Sequence, residues 1–241
     1  MSEPFHRITG HAESPLFLFG DHASKHIPDG FDNLGLSGDD LTRHIAWDIG
    51  TEGVIRGLAK RFDCSALIAG FSRLLIDANR DPEMKTLIPE TSDGTSIQGN
   101  VNLDAGARQQ RIEAYYRPYH AALGQALDRL TPKLSISVHS FTPKPDLGEQ
   151  RHLDLGLLVK HDVESADMFI RHFRRLAPEL SVAVNEPYSA YDLNYTVDVH
   201  LAPRGFAHLA IEIRQDHISD QTGIDNWVKL IGDALEPMIG D

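Results

Sequence analysis

Apolar runs of strand length alternate along this chain with longer segments of helical periodicity, and this alternation constrains the fold more than any other feature. The pattern predicts an α/β fold, with a single mixed sheet and helices on both of its faces. The strand candidates are PLFLFG, CSALIAG, SRLLIDAN, KLSISVHSF, LDLGLLV, LSVAVNEPY and FAHLAIEIR. No repeat, low-complexity tract or linker divides the chain, so we expect one domain over residues 1–241.

The segments between these runs have the apolar spacing of helices. They cover residues 37–62, with Ser37 as the N-cap, about 104–130, and 162–177, and an amphipathic run over 225–239 closes the domain. A long polar loop from about 81 to 102 is expected to be functional or mobile, because loops of this length are uncommon in compact domains.

Charge and composition exclude several classes of protein. With 35 acidic and 23 basic residues the net charge is −12, so nucleic acid is not an expected partner, and an anionic ligand needs local arginines to capture it. No apolar run reaches the ~20 residues of a membrane helix, and the N-terminus lacks the order of a signal peptide. We therefore expect a cytoplasmic protein without a membrane span. The single cysteine, Cys64, rules out an internal disulfide and reads as a buried structural thiol.

Ionisable side chains interrupt or end four of the predicted strands. His22 follows the first strand, His139 lies near the end of SISVHS, and Glu212 lies between two isoleucines in AIEIR. Asp77, Asn79 and Arg80 end the run RLLIDANR. Ligands of open α/β sheets bind at the carboxyl ends of the strands, so these positions predict one convergent site.

Each candidate also has an ordinary structural interpretation. A buried imidazole at His139 needs a partner, and a metal is one natural candidate. Glu212 is either functional or neutralised by one of four arginines, and these are Arg73, Arg80, Arg204 and Arg214. Asp48 lies four residues after His44, so on a helix the two share a face, and the acid either lies at the surface or points inward.

A metal hydrolase needs about three His or carboxylate ligands and a carboxylate base close by. His22, Asp48 and His139 can supply the ligands, and Glu212 can supply the base. No compact HExxH motif is present, and the chain has no GxSxG, GxGxxG or Walker motif for nucleophilic or nucleotide chemistry.

Seven motifs occur in an order that resembles the N-formylglutamate amidohydrolase family. They are GDHASKHIP, RHIAWDIG, SRLLIDANR, YRPYH, SVHSFTP, NEPYS and IEIRQD, and the similarity extends from about residue 16 to 227. The resemblance implies an α/β fold similar to that of the zinc carboxypeptidases. It also implies hydrolysis of N-formyl-L-glutamate to formate and L-glutamate, a step of histidine degradation, with one divalent metal, expected to be zinc.

The resemblance also implies roles for individual residues. His22, Asp48 and His139 match the metal site, and Glu212 matches the general base. Asn79 and Arg80 resemble the pair that binds a substrate carboxylate, Arg73 assists catalysis by holding the oxyanion, and Tyr188 in NEPYS belongs to the substrate-binding residues.

The chain departs from the family at DHAS, where members best matched to the deformylase activity read proline-histidine-serine-glycine. It therefore resembles a divergent member, and the acyl group and amino acid of its substrate stay open. The expected partner is a small acidic or N-acyl amino acid. The alternatives are a carboxypeptidase-like hydrolase of another small amide and a non-catalytic carboxylate-binding protein. Nothing in the sequence fixes an oligomeric state.

Overall fold

The computed structural model describes residues 3–240 and confirms the α/β fold class. The strands are β1 Phe5–Ile8, β2 Leu16–Gly20, β3 Ser65–Ala69, β4 Thr91–Ser92, β5 Thr95–Ser96, β6 Leu134–Phe141, β7 Leu155–Leu157, β8 Val182–Val184 and β9 Ala207–Arg214. Seven of them form a mixed sheet in the order β1-β3-β2-β6-β9-β7-β8, and β4 pairs with β5 in a separate hairpin.

Helices cover both faces of this sheet, as predicted. They are α1 Thr51–Phe62, α2 Ala105–Arg111, α3 Arg117–Leu130, α4 Val163–Leu176, α5 Tyr195–His200 and α6 Gln221–Ile239, and a π-helical turn at Ile112–Tyr116 joins α2 to α3. Buried side chains of α1, α4 and α6 pack with Leu18 on one face, whereas α3 packs with Phe19 on the other. Successive residues of β2 thus enter two different core clusters, as the alternation along a strand requires.

Four neighbouring strands run parallel. β2 pairs in parallel with β3 and β6, and β6 pairs in parallel with β9. β1 and β7 flank this group in the antiparallel direction. The carboxyl ends of β3, β2, β6 and β9 therefore meet at one edge of the sheet, where ligands bind in folds of this kind.

The predicted helix over residues 37–62 is wrong in its first half. The backbone at Arg43 is extended (φ −80°, ψ 160°), and only a short 3-10 turn at Asp40–Thr42 precedes it. Gly50 then has a φ of +84° and lies so close to Ile218 that a Cβ on it would come within 2.1 Å of the Ile218 carbonyl oxygen. Only glycine suits such a position, and α1 begins directly after it. Ser37 therefore does not cap this helix.

The predicted strand SRLLIDAN is also wrong, because this segment turns across the edge of the sheet. The Ser72 N–H donates to the His26 carbonyl at 2.8 Å, and the Leu75 N–H turns back to the Ser72 carbonyl at 3.0 Å. Leu74 and Ile76 are nevertheless buried on the face that α3 covers. The apolar run correctly predicts that these side chains are buried, but they are buried by tertiary packing and not by pairing as a strand.

Other segments are more ordered than their composition suggests. The polar loop over 81–102 contains the β4–β5 hairpin and is tied to the core by Asn100, whose amide donates to the carbonyls of Leu74 and Pro89. The stretch before β9 that we expected to be irregular contains α5, and β1 is a strand that the sequence did not predict. No helix within residues 3–240 is long and apolar enough to cross a membrane.

Candidate active site

Alternation along the strands places three ionisable side chains on one face of the sheet. Ile211 and Ile213 belong to the core cluster beside α1, α4 and α6, so Glu212 between them points to the opposite face. His139 pairs with Glu212 in the parallel register of β6 and β9. Asp21 directly follows β2, and its Oδ2 lies 3.5 Å from His139 Nε2. The ends of three neighbouring strands thus form the floor of one site.

The side chains of His22, Asp48 and His139 meet at these strand ends. Each offers one ligand atom, and the three atoms lie within 4.8 Å of one another. Asp48 Oδ2 is 2.8 Å from His139 Nδ1 and 3.5 Å from His22 Nδ1. All three side chains are buried. Both imidazoles therefore present the same ring nitrogen to one carboxylate oxygen.

Loop contacts, and not a helix, position Asp48. Its N–H donates to the His22 carbonyl at 2.8 Å, and its own carbonyl accepts the Thr51 hydroxyl at 2.7 Å where α1 begins. The expectation that Asp48 shares a helix face with His44 is wrong, because residues 43–49 are not helical. Of the two alternatives for this acid, the inward orientation is the one observed.

A second carboxylate faces the other ring nitrogen of each histidine. Asp77 Oδ1 lies 2.6 Å from His22 Nε2, and Asp21 Oδ2 lies 3.5 Å from His139 Nε2. At His22 the carboxylate of Asp77 favours the tautomer that carries its proton on Nε2, which leaves the Nδ1 lone pair available as a ligand.

The supports of Asp21 were missed from the sequence. Asp21 Oδ1 accepts the Tyr119 hydroxyl at 2.8 Å and the Thr196 hydroxyl at 3.0 Å, so α3 and α5 both hold it. Two signals could have found this group, because Asp21 directly precedes His22 in GDHAS and Tyr119 lies in YRPYH. Thr196 has no comparable signal, since it belongs to the stretch expected to be irregular.

At the ionisable groups of this cluster, the effect of neighbouring charges and hydrogen bonds on the pKa outweighs the effect of burial. Burial alone would raise the pKa of Asp48, but His22 and His139 hold it below its usual range. Burial would likewise lower the pKa of His139, but Asp21 and Asp48 raise it well above its ordinary value. The pKa of Asp77 lies well below its ordinary value, because the charges of His22 and Arg73 outweigh burial. The carboxylates thus stay ionised and suit a cation.

The donor set fits a divalent metal. His22 Nδ1 is buried and has no hydrogen-bond partner among residues 3–240, although it faces Asp48. Such an unpaired buried nitrogen is costly unless something binds it. Two imidazoles and one carboxylate, with carboxylates on the rear of both imidazoles, form a donor set typical of catalytic zinc.

Glu212 forms no ion pair in the described part of the chain. Arg204 and Arg214 pair with other acids, so neither neutralises it, and Glu212 Oε2 is buried without a hydrogen-bond partner. Burial raises the pKa of Glu212 to about 7, with His139 acting in the opposite direction and Asp48 reinforcing the shift. The geometry therefore does not support a structural ion pair for Glu212.

The segment from Arg73 to Arg80 brings two different arginines to the site. Arg73 bridges two acids, with Nη2 2.8 Å from Asp77 Oδ2 and Nη1 3.4 Å from Asp48 Oδ1. Arg80 is less engaged, since its Nη1 donates to the Asn79 carbonyl and lies 3.9 Å from Asp77. Asn79 Oδ1 accepts the Thr196 N–H at 2.9 Å, which directs the Asn79 amide nitrogen away from Thr196.

All eight residues predicted for the site line one cavity of about 410 Å³. They are His22, Asp48, Arg73, Asn79, Arg80, His139, Tyr188 and Glu212. Arg151 also lines this cavity and was missed, because it follows a proline-rich stretch with no strand or motif to mark it. The volume suits a small molecule.

Comparisons with known proteins identify the family and the fold of this chain. The sequence matches the N-formylglutamate amidohydrolase family model over residues 14–219. A solved gene product of Agrobacterium tumefaciens is 31% identical, with a TM-score of 0.90, over 98% of this chain and 96% of that chain. An N-formylglutamate amidohydrolase of Ralstonia eutropha is 22% identical, with a TM-score of 0.67, over 98% of this chain and 97% of that one, and shares the fold. No curated protein matches the sequence.

Proposed function

Because this chain belongs to the N-formylglutamate amidohydrolase family and is a hydrolase acting on an amide bond, we propose that it is a metal-dependent enzyme of small N-acyl amino acids. Its substrate is N-formyl-L-glutamate or a related N-acyl amino acid, and its products are a carboxylic acid and a free amino acid. The observation that carries the proposal is the buried His22, Asp48 and His139 cluster with the unpaired Glu212 beside it.

His22, Asp48 and His139 are the residues that would hold the metal, with zinc expected. When bound, such a cation supplies Lewis acidity to the amide carbonyl and to the attacking water. Asp77 keeps the imidazole of His22 oriented through a hydrogen bond to its Nε2 atom, and Asp21 Oδ2 faces His139 Nε2 at 3.5 Å.

Glu212 is the general base in this proposal. It accepts a proton from the attacking water and returns it to the departing amine nitrogen as the tetrahedral intermediate collapses. The buried location next to His139 supports this role, because Glu212 Oε2 has no hydrogen-bond partner among residues 3–240 and is free to accept a proton.

Arg80 and Asn79 bind the carboxylate of the substrate. The Arg80 guanidinium has Nε and Nη2 free of partners among the described residues, and a planar guanidinium fork suits a carboxylate. The Asn79 amide nitrogen adds a donor, since its oxygen is already engaged by the Thr196 N–H. Arg73 contributes positive charge to the oxyanion that forms during attack, while its ion pairs keep Asp48 and Asp77 in place.

The test is hydrolysis of a panel of N-acyl amino acids by protein reconstituted with zinc, measured as release of formate or other acid and of free amine. We expect turnover of N-formyl amino acids that a chelator abolishes and added metal restores. If the reconstituted protein binds N-acyl amino acids but hydrolyses none of them, the chain is the non-catalytic carboxylate-binding protein and the proposal is wrong.

A further inference from the structure

Two side chains of the motif YRPYH contact the segment that carries Asn79 and Arg80. Tyr116 ends the π-helical turn and His120 lies four residues further on in α3, so the two share one face of the helix, with ring centroids 4.2 Å apart. The Tyr116 hydroxyl donates to the Arg80 carbonyl at 2.8 Å, and His120 Nε2 lies 2.9 Å from the Ala78 carbonyl. One face of this helix therefore holds two backbone carbonyls of residues 78–80.

The segment over residues 78–80 belongs to no strand or helix. It turns over the edge of the sheet, so its polar groups depend on side chains and loops for their hydrogen bonds. The Asn79 N–H donates to Asp77 Oδ1 at 2.9 Å, and Asn79 Oδ1 accepts the Thr196 N–H at 2.9 Å. Because no strand ladder restrains this backbone, the contacts from α3 help to decide where the Asn79 and Arg80 side chains begin.

The hydrogen bonds of His120 fix its protonation. A carbonyl oxygen only accepts, so His120 Nε2 carries the proton that it donates to Ala78. Burial lowers the pKa of His120, and it lowers that of His200 to about 4, so both rings are neutral at pH 7. His120 Nδ1 then accepts from His200 Nε2 at 2.8 Å, with the two ring planes 11° apart. His200 thus keeps His120 in the tautomer that holds the Ala78 carbonyl.

We propose that Tyr116 and His120 are positioning residues that fix Asn79 and Arg80 for binding the substrate carboxylate. This inference rests on the proposed function, in which Asn79 and Arg80 bind that carboxylate. Restraint of the backbone carbonyls orients the Arg80 guanidinium and the Asn79 amide before the substrate arrives, which lowers the cost of binding. Neither Tyr116 nor His120 lines the cavity, so both act through the segment that they hold.

A double-mutant cycle of Tyr116→Phe with Arg80→Met tests the role of Tyr116. The probe is N-methanesulfonyl-L-glutamate, whose sulfonamide resists hydrolysis, and calorimetry of the zinc-loaded protein gives its dissociation constant. Tyr116→Phe removes only the hydroxyl and should weaken binding by about 2- to 10-fold, the effect of one hydrogen bond. In the Arg80→Met background the same exchange should have little further effect, because the guanidinium that it positions is gone.

Two controls separate positioning from general loosening of the fold. Tyr191→Phe makes the same chemical change at an exposed tyrosine outside the cavity and should bind the probe as the wild type does. Tyr116→Phe should also keep the wild-type zinc affinity, since its hydroxyl donates to the Arg80 carbonyl and not to a candidate ligand.

A pair of variants tests the donor of His120. His120→Gln keeps an amide donor near the position of Nε2, whereas His120→Met has a similar length and no donor. The glutamine variant should therefore bind the probe more tightly than the methionine variant. If neither variant folds, the cycle at Tyr116 decides the proposal.

The proposal is overturned if the wild type does not bind the probe, if Tyr116→Phe binds it as tightly as the wild type, if Tyr116→Phe loses zinc affinity, or if the losses of the cycle add. Equal binding by the two His120 variants overturns the role of His120. If Arg80→Met binds the probe as tightly as the wild type, the role of Arg80 in the proposed function fails together with this inference. A protein that shows the expected cycle but hydrolyses no N-acyl amino acid has lost only the catalytic proposal.

Discussion

Glu212→Gln separates the catalytic interpretation of this carboxylate from a structural one. Glutamine keeps the size of the side chain but cannot ionise, so the exchange removes the proton acceptor and preserves the packing. Loss of a general acid–base group lowers kcat by about 10²- to 10⁴-fold. Bound zinc should stay at the wild-type content, because the candidate ligands are His22, Asp48 and His139.

The structure also gives the sign of the stability change in chelator-treated protein. Burial raises the pKa of Glu212 from 4.5 to about 7, so the native state holds more protons than the unfolded state between these values. The free energy of unfolding therefore falls as pH rises through this window. The difference between the two values corresponds to about 3 kcal/mol above pH 7. Glu212→Gln escapes this penalty and should be more stable than the wild type at pH 8 by up to about 3 kcal/mol, with little difference near pH 4.5.

Urea denaturation at pH 4.5 and pH 8 measures this change, with the exposed Glu179→Gln as the matched control. A structural ion pair predicts the opposite sign, since breaking it should destabilise the protein by about 3–5 kcal/mol. Such a loss at pH 8, or turnover within a few fold of the wild type, would refute the reasoning.

Three further outcomes follow from other parts of the structure. Asp77→Asn removes the carboxylate 2.6 Å from His22 Nε2, so zinc affinity should fall by about 10- to 100-fold in competition with a chelator. Phe173→Ala empties a fully buried position and should lower the free energy of unfolding by about 3–5 kcal/mol in urea titrations. Burial and the charge of His120 lower the pKa of His200 to about 4, so the unfolded state binds more protons than the native state between about pH 6.5 and pH 4. The free energy of unfolding of the wild type therefore falls as the pH drops through this range. His200→Gln should lose about 1–3 kcal/mol less of this free energy over the same range.

The strand ends of the site could be predicted because two local signals coincide there. His139 and Glu212 each lie within an apolar run. A polar residue in such a run indicates which face of the strand bears the site and where the strand ends. Their side-by-side placement depends on the register of β6 against β9, which no local signal encodes. The rule that ligands bind at the carboxyl ends of the strands predicts that these residues share one edge of the sheet, but it does not predict which strands are neighbours.

The loops of the site could not be predicted in the same way. The sequence predicts Asp48 on a helix that the chain does not form there, and its inward orientation comes from the His22 carbonyl and the turn at Gly50. The run ending at Arg80 predicts a strand because continuous burial is typical of a central strand, but in the structure this run turns over the edge of the sheet. These conformations depend on tertiary contacts that a single sequence does not show.

The candidate metal site therefore extends beyond its three ligands, because the fold also positions the acids that face them. His22 depends on Asp77 and His139 depends on Asp21, and each of these acids comes from a different segment of the chain. Asp21 is held in turn by the Tyr119 hydroxyl of α3 and the Thr196 hydroxyl of α5, so two helices position the carboxylate that lies 3.5 Å from His139 Nε2. We expect a chain that keeps all three ligands but loses Asp21 or Asp77 to hold a metal less tightly. The candidate metal site is thus built by the whole sheet edge and not by its three ligands alone.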